Sequence, residues 1–209
     1  MKRIWLILSI MASSVFAQQS QIAIGLRLSY QTVSGDAADE LQAIGLYTDS
    51  PLKGNWTLRC AMDYIYDFTF ERPWEIAGIQ QDTSVPPLDS DGTMAISSIS
   101  LENQFKRNAR GFWQGGFGVG YGIAETDEIT GPRQGGGTFH IRTQSKDAII
   151  LAGNLAYTGK INKRWSWEAS INIAHHLTEW IVRDLNSSAS GTIHDFTAAG
   201  LSLGFKVKI

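Results

Sequence analysis

The sequence predicts an all-β protein, an eight-stranded antiparallel up-and-down transmembrane β-barrel. Two observations predict it. Apolar residues recur at every second position in eight segments that follow residue 17, and short and long connections alternate between those segments. The composition, with 11% aromatic and 18% charged residues, argues against disorder. A formal net charge of −2 excludes a generally basic nucleic-acid binder, and one cysteine excludes an internal disulfide framework.

The first residues have the pattern of an export signal. Lys2 and Arg3 precede an apolar run over 4–16, and Val15-Phe16-Ala17 ends that run with the small-x-small character of a signal-peptidase site. The run is shorter than the roughly 20 residues that a spanning helix needs, although an N-terminal membrane anchor is the alternative. We therefore predict a signal peptide over 1–17 and one barrel domain over 18–209.

The eight predicted strands follow the two-residue period of a β-strand. In the clearest of them, every second residue from Trp56 to Phe68 is apolar, whereas Arg59, Asp63 and Asp67 lie on the opposite face. Most segments have the roughly 9–11 residues that a tilted strand needs to cross the hydrocarbon. The segments lie at about 22–31, 41–49, 56–68, 93–105, 113–123, 148–157, 165–173 and 200–209.

Two features predict that the apolar faces point outward to lipid. The polar faces are rich in Gly, Ala and Ser, which suits the cramped interior of a small barrel. Aromatic residues also lie near the segment ends, as in two interfacial girdles. Near the short turns these are Trp56, Trp113, Tyr157, Trp165 and Phe205, and near the long loops they are Tyr30, Tyr66, Phe68 and Tyr121. The alternative is a soluble lipocalin-like carrier of an apolar ligand, in which Trp56, Leu58 and Met62 would line a cavity.

The last segment alternates Phe205, Val207 and Ile209 up to the final residue. With this strand and the pattern before it, the chain resembles the small outer-membrane barrels of the OmpA transmembrane-domain and OmpX type. Those barrels commonly end in an aromatic residue that assists assembly, whereas this chain ends in Ile209. The resemblance implies a monomer in the outer membrane of a Gram-negative-type bacterium, surrounded by lipid and lipopolysaccharide.

Four charged residues on the polar faces are predicted to form two interior ion pairs. If the third and fourth segments flank a loop centred near residue 80, Arg59 lies opposite Glu102. If the seventh and eighth flank a loop centred near 187, Glu168 lies opposite Lys206. Such pairs satisfy buried charges and would seal the barrel against an open water channel. The alternative is a gated conduit in which the pairs switch.

The long loops hold the candidate surface contacts. Trp74 is a candidate for an exposed contact or for packing on the barrel rim. Arg133, Arg142 and Lys146 lie in a glycine-rich loop over about 126–147, predicted to be polar and irregular, where they could contact lipopolysaccharide phosphates. We therefore expect a non-enzymatic protein with a structural or surface-contact function, and with no nucleic-acid partner.

Three chemical alternatives are weaker. A lipid-A-modifying hydrolase would use His176, Thr178 and Glu179, but the chain has no Gly-x-Ser-x-Gly motif. The alternating glycines over 116–122 lack the helix that follows a dinucleotide-binding loop. His175 and His176 are adjacent, so on a strand they cannot bind one metal together. We expect no cofactor, no metal and no catalytic residue.

Overall fold

The structure is a computed structural model that describes residues 22–34, 40–145 and 148–209. The predicted signal peptide and Lys146 lie outside the described residues. In the part of the chain described, no helix has the length and apolar character needed to cross a membrane.

Strands make up most of the described chain. One short helix, α1, spans Pro73–Ile76. The strands are β1 Ala23–Ser34, β2 Glu40–Pro51, β3 Trp56–Phe70, β4 Ser90–Arg107, β5 Gly111–Thr126, β6 Ile129–Pro132, β7 Thr138–Ser145, β8 Ala148–Lys160, β9 Trp165–Asp184 and β10 Ser190–Lys208.

Eight of these strands close into a ring within the described residues. Each pairs antiparallel with its neighbours in the order β1, β2, β3, β4, β5, β8, β9, β10, and β10 returns to β1 with Ala23 opposite Lys208. Closure pairs the backbone groups that an open sheet would leave unpaired in lipid. The predicted eight-stranded antiparallel barrel is confirmed.

The apolar faces of the strands point outward. Leu203 is 65% exposed and Phe117 is 66% exposed, whereas Glu102 is buried inside the ring. Trp56 and Met62, which a soluble carrier would place around its cavity, are exposed on the outer surface. The carrier hypothesis is therefore wrong, because the residues that it assigns to the cavity lie on the outer surface.

One aromatic residue turns inward, contrary to prediction. A bulge between Ile65 and Phe68 shifts the register of β3 against β4 near the long loops. The extra residue reverses which face each later side chain occupies. Phe68 is therefore buried inside the barrel instead of in the outer girdle, and Asp67 is exposed instead of facing inward.

The strand registers differ from the predicted ones by two residues. Arg59 lies opposite Ser100, and Glu102 lies opposite Thr57. An offset of two residues leaves these charged side chains on their predicted faces, since the strand period is two. In β9 and β10 the offset is the same, with Glu168 opposite Gly204 and Lys206 opposite Ser166. The residues predicted to lie directly opposite each other are thus diagonal neighbours on adjacent strands. The centres of the two connecting loops lie slightly earlier in the sequence than the prediction assumed.

The connections at the loop end are more ordered than predicted. The supposedly irregular loop at 126–147 contains the hairpin of β6 and β7, and β7 pairs with the upper part of β9, beyond the end of β8. β9 and β10 also extend to Asp184 and from Ser190, through residues predicted to be loop. β7, β9 and β10 extend beyond the membrane-spanning band, because each of them pairs with another strand there.

We expect Leu203→Arg to destabilise the barrel by about 2–4 kcal/mol, because it would place a charge in hydrocarbon near the bilayer midplane. Urea unfolding in phosphatidylcholine vesicles measures the change. Leu52→Arg is the matched control, since Leu52 lies in the turn between β2 and β3 and is 39% exposed. Equal stability of the Leu203 variant and the native protein would contradict a lipid-facing position.

Candidate functional site

A cluster of five charged side chains fills the interior toward the short turns. Arg59 on β3 lies at its centre and is 2% exposed. Its Nε donates to Asp49 Oδ1 at 2.7 Å, and its Nη1 and Nη2 each donate to Glu168 at 2.8 Å. Nη1 also lies 3.1 Å from Glu102 Oε1. One guanidinium thus contacts carboxylates from three strands, which its planar fork of donors allows.

Lys206 on β10 completes the cluster. Its Nζ donates to Asp49 Oδ2 at 2.9 Å and to Glu168 Oε2 at 3.0 Å. The structure therefore brings all four sequence-selected residues into one network and adds Asp49 as a fifth member. Three carboxylates face two cations, so the cluster has a formal charge of −1.

Neutral donors satisfy the surplus carboxylate of the cluster. Gln114 Nε2 donates to Glu102 Oε2 at 2.7 Å, and Asn154 Nδ2 donates to Glu102 Oε1 at 3.1 Å. Thr158 Oγ1 donates to Glu168 Oε2 at 3.2 Å. A buried charge is tolerated only when its remaining lone pairs are satisfied in this way.

Glycines on the inner face make room for the cluster and its aromatic neighbour. Arg59 lies over the ring of Tyr47, 4.3 Å from its centroid, and a Cβ at Gly25 would overlap that ring. A Cβ at Gly116 would lie 2.7 Å from Glu102 Cγ. The glycine run of β5 therefore serves packing inside the barrel, which supports its interpretation as a strand and not a nucleotide loop.

A cavity of about 100 Å³, lined by both polar and apolar side chains, lies above the charge cluster. The Arg27–Asp63 ion pair forms part of its wall, with Arg27 Nε donating to Asp63 Oδ1 at 2.8 Å. Ser and Asn side chains form much of the rest, including Ser98, Asn154 and Asn172. A cavity of this volume is large enough for several waters.

An apolar cap closes the interior at the loop end. Trp180 of β9 contacts Phe68 and Phe70 of β3, with ring centroids 5.8 and 5.5 Å apart. Trp74 of α1 is buried against this group, and its Nε1 donates to the Leu88 carbonyl at 3.0 Å. The buried side chains of the cap are Leu41, Ala43, Ile65, Phe68, Phe70, Trp74, Ala77, Ile79, Met94, Phe139, Ile141, Trp180, Val182, Ile193, Phe196 and Ala198.

Backbone hydrogen bonds tie the loops of the cap together. The segment after α1 meets the β6–β7 hairpin through a bridge between Gln81 and Arg133. Asp82 N donates to the Pro132 carbonyl at 3.0 Å, and Gln134 N donates to the Gln80 carbonyl at 2.9 Å. Two connections that are distant in sequence therefore form one structure over the mouth of the barrel.

The candidate loop contacts are mostly engaged within the protein. Trp74 is buried in the cap and is not exposed. Arg133 forms an ion pair with Asp184, and Arg142 forms one with Glu128 at 2.5 Å. The structure thus leaves neither arginine as an unpaired side chain for lipopolysaccharide phosphates.

Asp184 organises the top of the cap. It accepts hydrogen bonds from the backbone N–H of His140 at 2.7 Å and from Ser187 Oγ at 2.5 Å. Burial tends to raise the pKa of this carboxyl, but those hydrogen bonds and the charge of Arg133 outweigh burial and hold its pKa below the usual value. Asp184 therefore remains ionised and holds β7 against the end of β9.

The residues of the hydrolase hypothesis do not converge at the lipid-facing rim. His176 and Thr178 are buried inside the barrel, and the His176 ring stacks on Phe196 at 4.2 Å between centroids. Glu179 follows on the outer face of β9. In the described part of the chain, no group of three or more His, Cys, Asp or Glu side chains is arranged to hold a metal ion.

Sequence reasoning missed Asp49, Gln114 and Tyr47 as members of the interior site. The signal for two of them was present. Continuing the alternation of Ala43 and Gly45 along the second segment places Tyr47 and Asp49 on the inner face. Gln114 alternates with Trp113 in the same way, but nothing in its own sequence position indicates a carboxylate partner across the barrel.

The fold is that of the small outer-membrane β-barrels of Gram-negative bacteria. OprG from Pseudomonas aeruginosa has this fold, with a TM-score of 0.58, 12% identity and coverage of 92% of this chain and 97% of that one. Neisserial surface protein A gives a TM-score of 0.55 and 12% identity over 91% of this chain and all of that one. Ail of Yersinia pestis, solved with the heparin analogue sucrose octasulfate, gives 0.51 and 13% identity over 92% and 100%.

These likenesses are structural. No protein-family model matches the sequence, and no curated protein matches it either. The predicted resemblance to small outer-membrane barrels is confirmed at the level of the fold. The predicted outer-membrane location agrees with that fold, and the exposed apolar band needs a lipid bilayer around it. With the fold assigned, the short turns and both strand termini Ala23 and Lys208 mark the periplasmic end, and the cap marks the extracellular end.

We expect Arg59→Met to lower the free energy of unfolding by about 3–5 kcal/mol, because it leaves three buried carboxylates facing one cation. Glu102→Gln is the matched comparison at the same site. It removes the surplus negative charge and keeps a side chain of similar shape, so its cost should be clearly smaller. Urea unfolding in lipid vesicles measures both, and equal costs would contradict an excess of negative charge in the cluster.

Proposed function

We propose that this protein is a sealed, non-enzymatic outer-membrane barrel whose function is carried out by its extracellular cap. The barrel anchors and orients the cap, and the cap makes contact with partners outside the cell. The observation that carries the proposal is the double closure of the interior. A charge cluster fills the periplasmic half, and an apolar core closes the extracellular mouth.

Each closure supports the proposal by a different physical argument. Ions that cross the charge cluster would have to separate Arg59 and Lys206 from carboxylates that are themselves buried. Ions that cross the cap would have to leave water for an apolar core built from aromatic and aliphatic side chains. The cavity between the two closures is consistent with a water-filled pocket in a sealed barrel.

The charge of the extracellular end supports a cationic partner. Among the described residues on the extracellular side of the membrane-spanning band, there are thirteen carboxylates and four arginines. The carboxylates are Glu40, Asp67, Glu71, Glu75, Asp82, Asp89, Asp91, Glu125, Asp127, Glu128, Glu179, Asp184 and Asp195, and the arginines are Arg72, Arg133, Arg142 and Arg183. Ail was solved with a sulfated ligand, whereas this acidic surface would repel sulfates and attract basic peptides or proteins.

We expect the native protein in planar lipid bilayers to give no steady channel conductance, since both closures exclude ions. An open porin reconstituted in the same way is the positive control. Glu102→Gln tests the gated-conduit alternative, because switching pairs would change the frequency of openings when one partner loses its charge. Stepwise conductance of the native protein would contradict the sealed barrel.

We expect the protein in phosphatidylcholine nanodiscs to bind an oligolysine peptide, because the negative charges of the cap attract a cationic partner. The triple variant Asp67→Asn, Glu75→Gln, Glu125→Gln should bind the peptide roughly tenfold or more less tightly, since three of those charges are removed. Isothermal titration at low salt measures the binding. A triple variant at the periplasmic end, Lys53→Gln, Arg110→Gln, Lys163→Gln, is the control and should bind no less than the native protein. Unchanged binding by the acidic-end variant would contradict the proposal.

A further inference from the structure

The periplasmic end has a charge pattern opposite to that of the cap. Eight exposed Lys and Arg side chains lie there, and within the described residues no exposed Asp or Glu accompanies them. The carboxylates nearest to this end, Asp49, Glu102 and Glu168, are buried inside the barrel with Arg59 and Lys206. We call the eight exposed residues the basic collar: Lys53, Lys106, Arg107, Arg110, Lys160, Lys163, Arg164 and Lys208.

The collar surrounds the barrel. Lys53 lies in the β2–β3 turn, Arg110 in the β4–β5 turn and Lys163 in the β8–β9 turn, while Lys208 ends β10 beside β1. Positive charge is therefore distributed around the circumference and is not gathered into one patch.

The collar also lies at the level of the membrane interface. Exposed aromatic side chains immediately precede or follow the turns in sequence, among them Trp56, Phe105, Trp113 and Trp165. Trp113, Tyr157 and Trp167 form a continuous row across three strands, with ring centroids 5.3 and 5.5 Å apart. Because aromatic rings of this kind sit at the headgroup level of a bilayer, the short turns hold their cations within reach of the lipid headgroups.

We propose that the basic collar binds the anionic headgroups of inner-leaflet phospholipids, so that the barrel gathers phosphatidylglycerol-type lipid around its periplasmic rim. Each Lys or Arg near the surface adds attraction to anionic lipid, and the attraction extends over about a Debye length. Long Lys and Arg side chains can lay their apolar stems along the aromatic girdle and direct their charges to the phosphates.

The distribution of the collar favours lipid over a compact partner. An anionic protein or a single polymer strand would cover one side of the rim and leave the cations on the other side without a counter-charge. Lipid headgroups surround the barrel on all sides, as the collar does. The turns are also short, so their charges stay close to the bilayer surface and do not extend into the periplasm.

The test uses the native tryptophans as probes. In the mature chain, Trp56, Trp113, Trp165 and Trp167 are exposed near the collar, whereas Trp74 and Trp180 are buried in the cap. Quenching of tryptophan fluorescence by brominated phosphatidylglycerol, mixed into phosphatidylcholine vesicles and compared with brominated phosphatidylcholine, therefore gives the relative binding of anionic lipid at the periplasmic rim. We expect native protein to prefer phosphatidylglycerol several-fold at low salt and the preference to fall as salt is raised.

Two variants carrying neutral substitutions decide the proposal. Lys53→Gln, Arg110→Gln, Lys163→Gln removes one cation from each turn and should clearly lower the preference, while the five remaining collar cations keep it above one. Arg72→Gln, Arg183→Gln removes cations from the extracellular end and should leave the preference unchanged. The retention of heat-dependent mobility on a detergent gel shows that each variant is folded. A native preference of one, or an equal loss in both variants, would overturn the proposal.

Discussion

The contact on which the rest of the structure depends is that of Arg59 with three carboxylates in the interior. A barrel enclosed by lipid cannot leave polar side chains unsatisfied, and eight strands provide too little room for water to satisfy them all. Asp49, Glu102 and Glu168 come from three different strands and meet at one guanidinium. The register of the strands that carry these residues is therefore tied to the geometry of one side chain.

The two halves of the interior are closed by different means, and each suits its position. The periplasmic half uses charge, held by strands that are joined by short turns. The extracellular half uses apolar burial, which tolerates the bulges and irregular loops of the cap since dispersion and the hydrophobic effect are not directional. Trp180 and Phe68 illustrate this second mode, because the bulge that brings Phe68 inward also enlarges the apolar core.

Most of the fold was predictable because its signal is local. The alternation around Trp56 and Leu203 gives the strand, its outer face and its approximate ends. The interior charges and two of their contacts, Arg59 with Glu102 and Glu168 with Lys206, were predictable, since parity survives a two-residue error in register. The contact of Arg59 with Glu168 forms across the barrel, so it depends on closure of the ring. The burial of Trp74 depends on contacts between loops that are distant in sequence. Neither contact produces a periodic pattern in the sequence from which it could be predicted.

The bridge between Gln81 and Arg133 has a consequence for how this protein is seen from outside the cell. It joins the segment after α1 to the β6–β7 hairpin, so the outermost surface is composed of segments far apart in the chain. An antibody raised against a synthetic peptide of either segment recognises the isolated peptide, whose conformation differs from that of the same segment in the folded protein. The native surface is a discontinuous epitope, and an immunogen that reproduces it must be the whole closed barrel.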